Sequence, residues 1–322
     1  MTARLTDAER GEVVWSDRRA RPAEHLFAVQ DEIVGRVGGA LDGTWTGRLA
    51  KVVREDAEGQ PTRSLEAYEL YLLGAEAKHR YTAEGYEEAA GYLRRALALD
   101  PDFVKAMVTL SIVRTFQMDF APDEEARRAL LAEGTALAER AVALDPEDPD
   151  ALVRLAAIRV LWGERLDAWD PLVRAVDHAP SNPDVLAVAA WVYPWADQER
   201  APLDWARRAV ALNPGHPAWY DVGLAMAAFY AGDLALARKA AGRAPPDSPE
   251  LLLVLGALSA LEGDLEGARA SFARFDDLKA YRSLSGYYFV QDLGQDPAFA
   301  PLVEGARRAG FPVTDAEALA SN

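Results

Sequence analysis

A proline followed by two residues and an apolar run recurs five times, and this recurrence limits the possible folds more than any other feature. The leading prolines are Pro101, Pro146, Pro180, Pro214 and Pro246. Successive prolines lie 45, 34, 34 and 32 residues apart. Because a period of this length is typical of stacked supersecondary units, the chain is predicted to be a repeat array.

Each unit is predicted to be a helix, a short turn and a second helix. Apolar residues recur at helical spacing, as in Leu152, Leu155 and Ile158. In four units an alanine lies five residues before the proline, and small residues let paired helices approach closely. The proline falls between units, because it cannot continue a helix. Later units have Gly-Asp pairs in the predicted internal turn: Gly232-Asp233 and Gly263-Asp264.

These units resemble the tetratricopeptide repeat family. Leu255-Gly256 in a first helix, with Ala268 and Phe272 in the second, match its pattern. Two further units repeat the match with Leu73-Gly74, Ala89, Leu93, Ala96 and Pro101, and with Leu155-Ala156, Ala168, Leu172, Ala175 and Pro180. The resemblance implies an all-α, right-handed superhelical solenoid of about six helix pairs from Leu65 to Phe275, with a C-terminal capping helix near Asp296–Phe311.

The amino-terminal region carries a second resemblance. Residues 3–15 are predicted to form a β-hairpin, and residues 25–41 an amphipathic helix. With Trp15, Phe27, Gln30-Asp31-Glu32 and Ala67-Tyr68, this order resembles a bacterial family in which a TolB-like α/β domain leads into tetratricopeptide repeats. Members of that family often carry a class III adenylate/guanylate cyclase domain or a winged-helix DNA-binding domain.

The two resemblances together divide the chain into four segments. Residues 1–22 are a hairpin remnant of a TolB-like domain, and residues 23–63 are the amphipathic helix and a linker. Residues 64–276 form the repeat array, and residues 277–322 form the cap and tail. A two-stranded hairpin is marginal in water on its own. We therefore expect either that the chain is a carboxy-terminal fragment or a short paralogue, or that the hairpin pairs with another chain, as in a homo-oligomer.

Composition excludes several classes of function. With 35 basic and 51 acidic side chains, the formal charge is −16, which disfavours binding to nucleic acid and to an anionic membrane. The sequence has no cysteine, so thiol catalysis and disulfides are excluded. Its longest apolar runs have eleven and twelve residues, against about 20 for a spanning helix. We expect a cytoplasmic protein.

No motif predicts catalysis, a cofactor or a metal. The four histidines, His25, His79, His178 and His216, are too far apart in sequence to form a ligand pair on one helix turn. Phosphate-binding glycine loops and the GxSxG motif are missing from the sequence. Carboxylate pairs such as Glu87-Glu88 fit a solvated helix face. We therefore expect no enzymatic activity.

The tryptophans supply the candidate binding residues. Trp191 and Trp195 are four residues apart, so a helix places them on one face. The resemblance implies that this face lines the concave groove, where the predicted partner-binding residues are Trp191, Trp195, Phe229, Tyr71, Asp221 and His79. The alternative is that both indoles fill the contact between neighbouring units, favoured by Pro194 between them.

The predicted function is a non-enzymatic protein–protein interaction scaffold. Its groove is expected to bind a basic, apolar or mixed peptide or helix of a partner protein. The second resemblance implies an alternative, a regulatory repeat module of a class III cyclase or of a transcriptional regulator whose catalytic or DNA-binding domain lies outside this chain.

Overall fold

The computed structural model describes residues 2–6, 13–18, 63–164, 166–192, 201–246, 248–278, 293–295 and 297–314. At the amino terminus, strands β1 (Thr2–Thr6) and β2 (Val13–Arg18) pair antiparallel, with Leu5 opposite Trp15 and an irregularity between Leu5 and Thr6. This pairing agrees with the predicted hairpin. Its pairing with another chain stays a prediction, and the predicted helix at 25–41 lies outside the described residues.

All remaining regular structure in the described residues is helical. The predicted succession of six helix pairs and a cap is confirmed. The α-helices are α1 Arg63–Lys78, α2 Ala83–Leu99, α3 Val104–Gln117, α4 Glu124–Leu144, α5 Pro149–Leu161, α6 Trp169–His178, α7 Pro183–Val192, α8 Ala201–Leu212, α9 Trp219–Tyr230, α10 Leu234–Ala241, α11 Pro249–Leu261, α12 Leu265–Leu278 and α13 Ala300–Ala309.

Small residues bring the two helices of a pair together. A Cβ placed on Gly74 of α1 would lie 2.7 Å from Leu93 Cγ of α2, and one on Gly256 of α11 would lie 2.8 Å from the Phe272 ring of α12. Ala268, on the same side of α12 as Phe272, is fully buried. The residues that carry the tetratricopeptide resemblance are therefore the residues in contact, since only a missing side chain allows this approach.

Turns inside the pairs follow the predicted chemistry. Gly232 and Gly263 have φ values of +78° and +92°, a region that glycine enters without the clash of a side chain. The next residue caps the second helix, because Asp233 Oδ1 accepts a hydrogen bond from the Leu236 amide at 3.1 Å. Asp264 Oδ1 accepts one from the Gly267 amide at 2.9 Å.

The array departs from a regular pair in two places. In the second pair, within the 45-residue interval between Pro101 and Pro146, a 3₁₀ turn forms at Met118–Phe120 and α4 reaches 21 residues. At the carboxyl end, α13 packs on α11, where a Cβ on Gly305 would lie 2.4 Å from Ala257 Cα. Phe311 stacks on Phe272 with ring centroids 4.5 Å apart. The predicted cap is therefore a helix that covers the last pair.

The chain divides into two compact units. The first comprises Met1–Ile158, Pro171–Val185 and Ala211–Gly215, and the second comprises Arg159–Asp170, Leu186–Val210 and His216–Asn322. The right-handed superhelix and the four domain boundaries stay predictions. In the part of the chain that the structure describes, we find no helix whose length and apolarity would suffice to cross a bilayer.

Candidate partner-binding site

A buried carboxylate stands at the start of α9 in the second unit. Asp221 is 3% exposed and lies in the first turn of the helix, whose N-cap Ala218 offers no side-chain hydrogen bond. A negative charge is favoured at this end of a helix. The Arg243 guanidinium, in the turn after α10, donates to Asp221 Oδ1 through Nε at 3.1 Å and through a second nitrogen. His216 Nε2 lies 3.2 Å from Asp221 Oδ2.

The ion pair between Asp221 and Arg243 holds the partly exposed Arg243 side chain in place. Arg243 is 42% exposed, whereas Asp221 is 4% exposed when only the side chains are considered. Hydrogen bonding to Asp221 raises the pKa of Arg243 above its ordinary value. A charge-assisted bond to a buried carboxylate is stronger than a neutral one. The site therefore presents a guanidinium whose orientation is set from below by Asp221.

Aromatic rings extend from this ion pair to α7. His216 stacks on Tyr220 with centroids 5.4 Å apart, and Tyr220 meets Trp219 edge-on at 4.5 Å. Trp219 lies 6.4 Å from Trp191. Trp191, Trp219 and His216 are each half-buried. Asp221 and Arg243, together with Trp191, Trp219, Tyr220 and His216, are called the Asp221 site.

Trp191 also stands where α7 packs on α9. A Cβ on Gly223 would lie 3.3 Å from both the Cβ and the amide nitrogen of Trp191, and 3.2 Å from the Ala187 carbonyl oxygen. The close contact therefore involves the backbone and Cβ of Trp191, and the indole extends beyond it to remain half-buried. The groove role of Trp191 and the alternative packing role both stay predictions.

The other predicted binding residues are placed differently. Tyr71 is 3% exposed and packs against Phe103 with centroids 5.3 Å apart. Phe229 is 1% exposed and meets Tyr230 edge-on at 5.3 Å. These two rings therefore lie in the helix packing rather than on an open surface. A partner-binding role for them stays a prediction.

Two predicted residues remain outside the Asp221 site. His79 is half-buried at the start of the turn between α1 and α2, and its ring lies 6.3 Å from that of Tyr81 in the first unit. Trp195 lies outside the described residues, since α7 is described to Val192. The shared helix face of Trp191 and Trp195 therefore stays a prediction.

Buried charges in the first unit were not predicted from the sequence. Arg154 of α5 donates from Nε to Ser111 Oγ of α3 at 2.7 Å and from Nη2 to the Ser111 carbonyl oxygen at 2.9 Å. Burial lowers the pKa of Arg154 to about 9. Burial also lowers the pKa of Lys78 to about 8, although the charges of Asp184 and Asp150 act in the opposite direction.

A sequence signal for this cluster does exist. Arg154 interrupts the apolar pattern of α5, where a charged residue is unexpected unless it is paired. The pairing itself spans 43 residues between Ser111 and Arg154. No local pattern specifies such a contact. As for metals, the described residues contain no group of three or more His, Asp or Glu side chains placed to hold an ion.

Comparisons with known proteins agree with the repeat architecture. No family model matches the chain. A protein of Rhizobium meliloti (strain 1021) named "Putative adenylate cyclase 3" is 31% identical over 113 residues, which make up 35% of this chain and 19% of that protein. The matched part thus spans about a fifth of that relative.

Several solved structures are similar in fold. The human IFIT1 dimer with m7Gppp-AAAA gives a TM-score of 0.50 at 13% identity, covering 92% of this chain and 68% of that one. A tetratricopeptide repeat protein of Parabacteroides merdae ATCC 43184 gives 0.44 at 11% identity, covering 82% and 98%. The repeat period, the close contacts at Gly74 and Gly256 and the paired helices give this chain the tetratricopeptide repeat fold. Its similarity to an adenylate cyclase is distant and partial.

Proposed function

We propose that the protein is a non-enzymatic scaffold that binds a peptide or helix of a partner protein on the face of its first helices. The observation that carries this proposal is the Asp221 site. Its half-buried indoles, Trp191 and Trp219, adjoin a guanidinium oriented by a buried carboxylate. Tryptophan and arginine are the residues that most often contribute large shares of binding free energy.

The buried charge of Asp221 is better explained by a role in partner binding than by a role in stability. Removing a carboxylate from water is costly, and an apolar replacement is often as stable as a buried ion pair. Asp221 nevertheless stands in a helix whose residues Tyr220–Phe229 are all buried. In a scaffold without a binding role, a carboxylate at this position would add little to stability. In a binding surface, the carboxylate holds Arg243 in a fixed orientation.

The chemistry of the partner follows from charge and surface. The formal charge of −16 repels a polyanionic tail or nucleic acid at long range and attracts a basic or neutral segment. The indoles offer apolar area with a hydrogen-bond donor at its edge. The segment bound at the Asp221 site is therefore proposed to insert an apolar anchor between the rings, with basic residues around it.

A pair of tryptophan variants tests this proposal. Partners are captured from lysate of the source cell with the immobilised chain, and the recovered partner is then titrated against purified variants. Trp191→Ala should weaken binding by about 30-fold or more, as for a residue worth about 2 kcal/mol. It should leave the melting temperature nearly unchanged, because the Cβ that meets α9 is retained.

The matched control is Trp162→Ala. Trp162 is 44% exposed and lies in the turn after α5, outside the Asp221 site. This variant should bind as the wild type does. If Trp191→Ala binds as tightly as Trp162→Ala, or if it unfolds before binding can be measured while Trp162→Ala does not, the proposal for the Asp221 site is wrong.

A second candidate function is a regulatory module of a class III cyclase. It is supported by the 31% identity to "Putative adenylate cyclase 3" over 113 residues. In this case the partner of the Asp221 site is a cyclase domain. Cyclic nucleotide production by that domain should change when the chain is added in trans, and Trp191→Ala should abolish the change.

The chain alone, incubated with ATP or GTP and Mg²⁺ or Mn²⁺, should form no cyclic nucleotide, whereas turnover would refute the non-enzymatic proposal.

A further inference from the structure

The turn between α1 and α2 contains a tyrosine where other pairs have glycine. Tyr81 has a φ of +53°, while the turns after α5, α9 and α11 place Gly163, Gly232 and Gly263 at φ of +79°, +78° and +92°. A bulky side chain is rarely found in this region, because its Cβ clashes with the backbone. Such strain is retained where the surrounding structure and the function require it.

The strained residue presents its ring to solvent. Tyr81 is 53% exposed, so burial of the side chain does not account for the tyrosine. The turn is closed by backbone hydrogen bonds, with the Tyr81 amide 3.3 Å from the Lys78 carbonyl oxygen. Glycine would satisfy the same bond without strain. The identity of the side chain is therefore the feature that requires an explanation.

The turn of the second pair adds another exposed ring. Phe120, at the end of the 3₁₀ turn Met118–Phe120, is 52% exposed. It lies 6.1 Å from the ring of Tyr86, which is 4% exposed and stacks on Phe116 at 5.5 Å with an interplanar angle of 16°. Phe120 thus rests on a buried aromatic stack that holds it in place.

The two exposed rings lie at the turns of two successive helix pairs. Tyr81 directly precedes Thr82, whose carbonyl oxygen accepts a hydrogen bond from the Tyr86 amide at 2.9 Å. Tyr81 therefore adjoins the first turn of α2, the helix from which Tyr86 contacts Phe120. We call Tyr81, Tyr86, Phe116 and Phe120 the turn-edge patch. All four residues belong to the first unit.

Acidic residues lie beside the two turns in the sequence. Glu84 follows the first turn and is exposed, and Asp119 and Asp123 flank the second turn and are exposed. The cation Arg80 is paired with Glu88. The patch therefore joins exposed aromatic faces to an excess of carboxylates. Aromatic faces and carboxylates both attract a guanidinium or an ammonium group.

We propose that the turn-edge patch is a second docking surface, which binds an arginine- or lysine-bearing apolar segment of a partner protein. The apolar side chains of that segment lie on Tyr81 and Phe120, and its cations lie over the rings and beside Glu84, Asp119 and Asp123. A second copy of this chain is the weaker candidate, because its charge of −16 opposes approach to an acidic surface. The inference goes beyond the proposed function, since it uses none of the residues of the Asp221 site.

Peptides of defined charge test the proposal. The probe is a fluorescein-labelled 14-residue helical peptide with Arg at every fourth position beside Leu, and its twin has Glu in place of each Arg. Anisotropy titrations use the full chain at low and high salt. The Arg peptide should bind at least tenfold more tightly than the Glu peptide, and this preference should shrink with salt.

Two variants locate the binding surface. Phe120→Ala and Tyr81→Gly should each weaken binding of the Arg peptide at least fivefold. Tyr81→Gly should do so with a melting temperature no lower than that of the wild type, because glycine relieves the positive φ. The matched control Leu144→Ala removes a side chain that is 43% exposed in the same unit but outside the patch, and it should bind as the wild type does.

Several outcomes would overturn the inference. Equal affinity for the two peptides would show that the surface does not select cationic segments. Unchanged affinity of Tyr81→Gly and Phe120→Ala for the Arg peptide would show that the peptide binds elsewhere. An equal loss in Leu144→Ala shows nonspecific binding to exposed apolar residues. Sedimentation of the chain without peptide provides the last test: a dimer that Phe120→Ala converts to a monomer assigns the surface to a second copy of the chain.

Discussion

Lys78 should make the stability of the protein rise with pH in alkaline solution. Burial lowers its pKa from 10.5 to about 8 in the folded chain. Between these two values the unfolded chain binds more protons than the folded chain does. The free energy of unfolding therefore increases as the pH rises through this window. The physical cause is the removal of the ammonium group from water, which the charges of Asp184 and Asp150 offset only in part.

The magnitude follows from the size of the pKa change. Each pKa unit corresponds to about 1.4 kcal/mol, so the shift from 10.5 to about 8 amounts to roughly 3 kcal/mol over the whole window. Most of it, about 2 to 3 kcal/mol, should appear between pH 7 and pH 10. Above pH 9, Arg154 should also increase the free energy of unfolding, because burial lowers its pKa as well.

The assay is urea unfolding of the wild type and of Lys78→Met at several pH values from 7 to 10. Methionine retains the length of the side chain without the charge, so the difference between the two proteins isolates the ammonium group. From pH 7 to pH 10 the free energy of unfolding of the wild type should rise by about 2 kcal/mol or more relative to that of the variant. Lys105→Met is the matched control, because Lys105 is exposed on α3, and it should retain the wild-type slope. Parallel pH dependences of the wild type and Lys78→Met would refute the reasoning.

Two further predictions concern packing. Ala268→Leu should destabilise the α11–α12 pair by roughly 1–3 kcal/mol, because Ala268 is fully buried and a larger side chain overpacks the contact; an unchanged melting curve would contradict the alignment of the repeat. Gly305→Ala should loosen α13, since its Cβ would lie 2.4 Å from Ala257 Cα, and hydrogen exchange should speed up in α13 before it does in the first unit. Equal exchange in Gly305→Ala and the wild type would show that the cap helix tolerates the added carbon.

Much of the fold could be predicted because its determinants are local and repeated. The period of the prolines and the glycine and alanine positions specify helix pairs without reference to distant residues. Gly74 and Gly256 meet Leu93 and Phe272, as the resemblance implied. The capping helix was predicted from the same resemblance, and α13 confirms it.

The candidate site could be predicted only in part. Trp191 and Asp221 were selected from helix phase, and the structure brings both into the Asp221 site. The same phase selected Tyr71 and Phe229, which are buried in the helix packing. A helical period shows which residues share a face, but the tilt between neighbouring helices determines how much of that face is covered.

The sequence by itself therefore determined that the chain repeats, that each repeat is a pair of helices and where the last two pairs turn. Tertiary structure decided which charges meet: Arg243 reaches Asp221 from 22 residues away, and Arg154 reaches Ser111 from 43 residues away. Tertiary structure also decided that Tyr81 has a positive φ, in a turn whose sequence has no glycine. The physical reason is range. Helix periodicity and turn chemistry act over a few residues and can be read along the chain, whereas burial, ion pairing and strain depend on atoms that only stacking brings together.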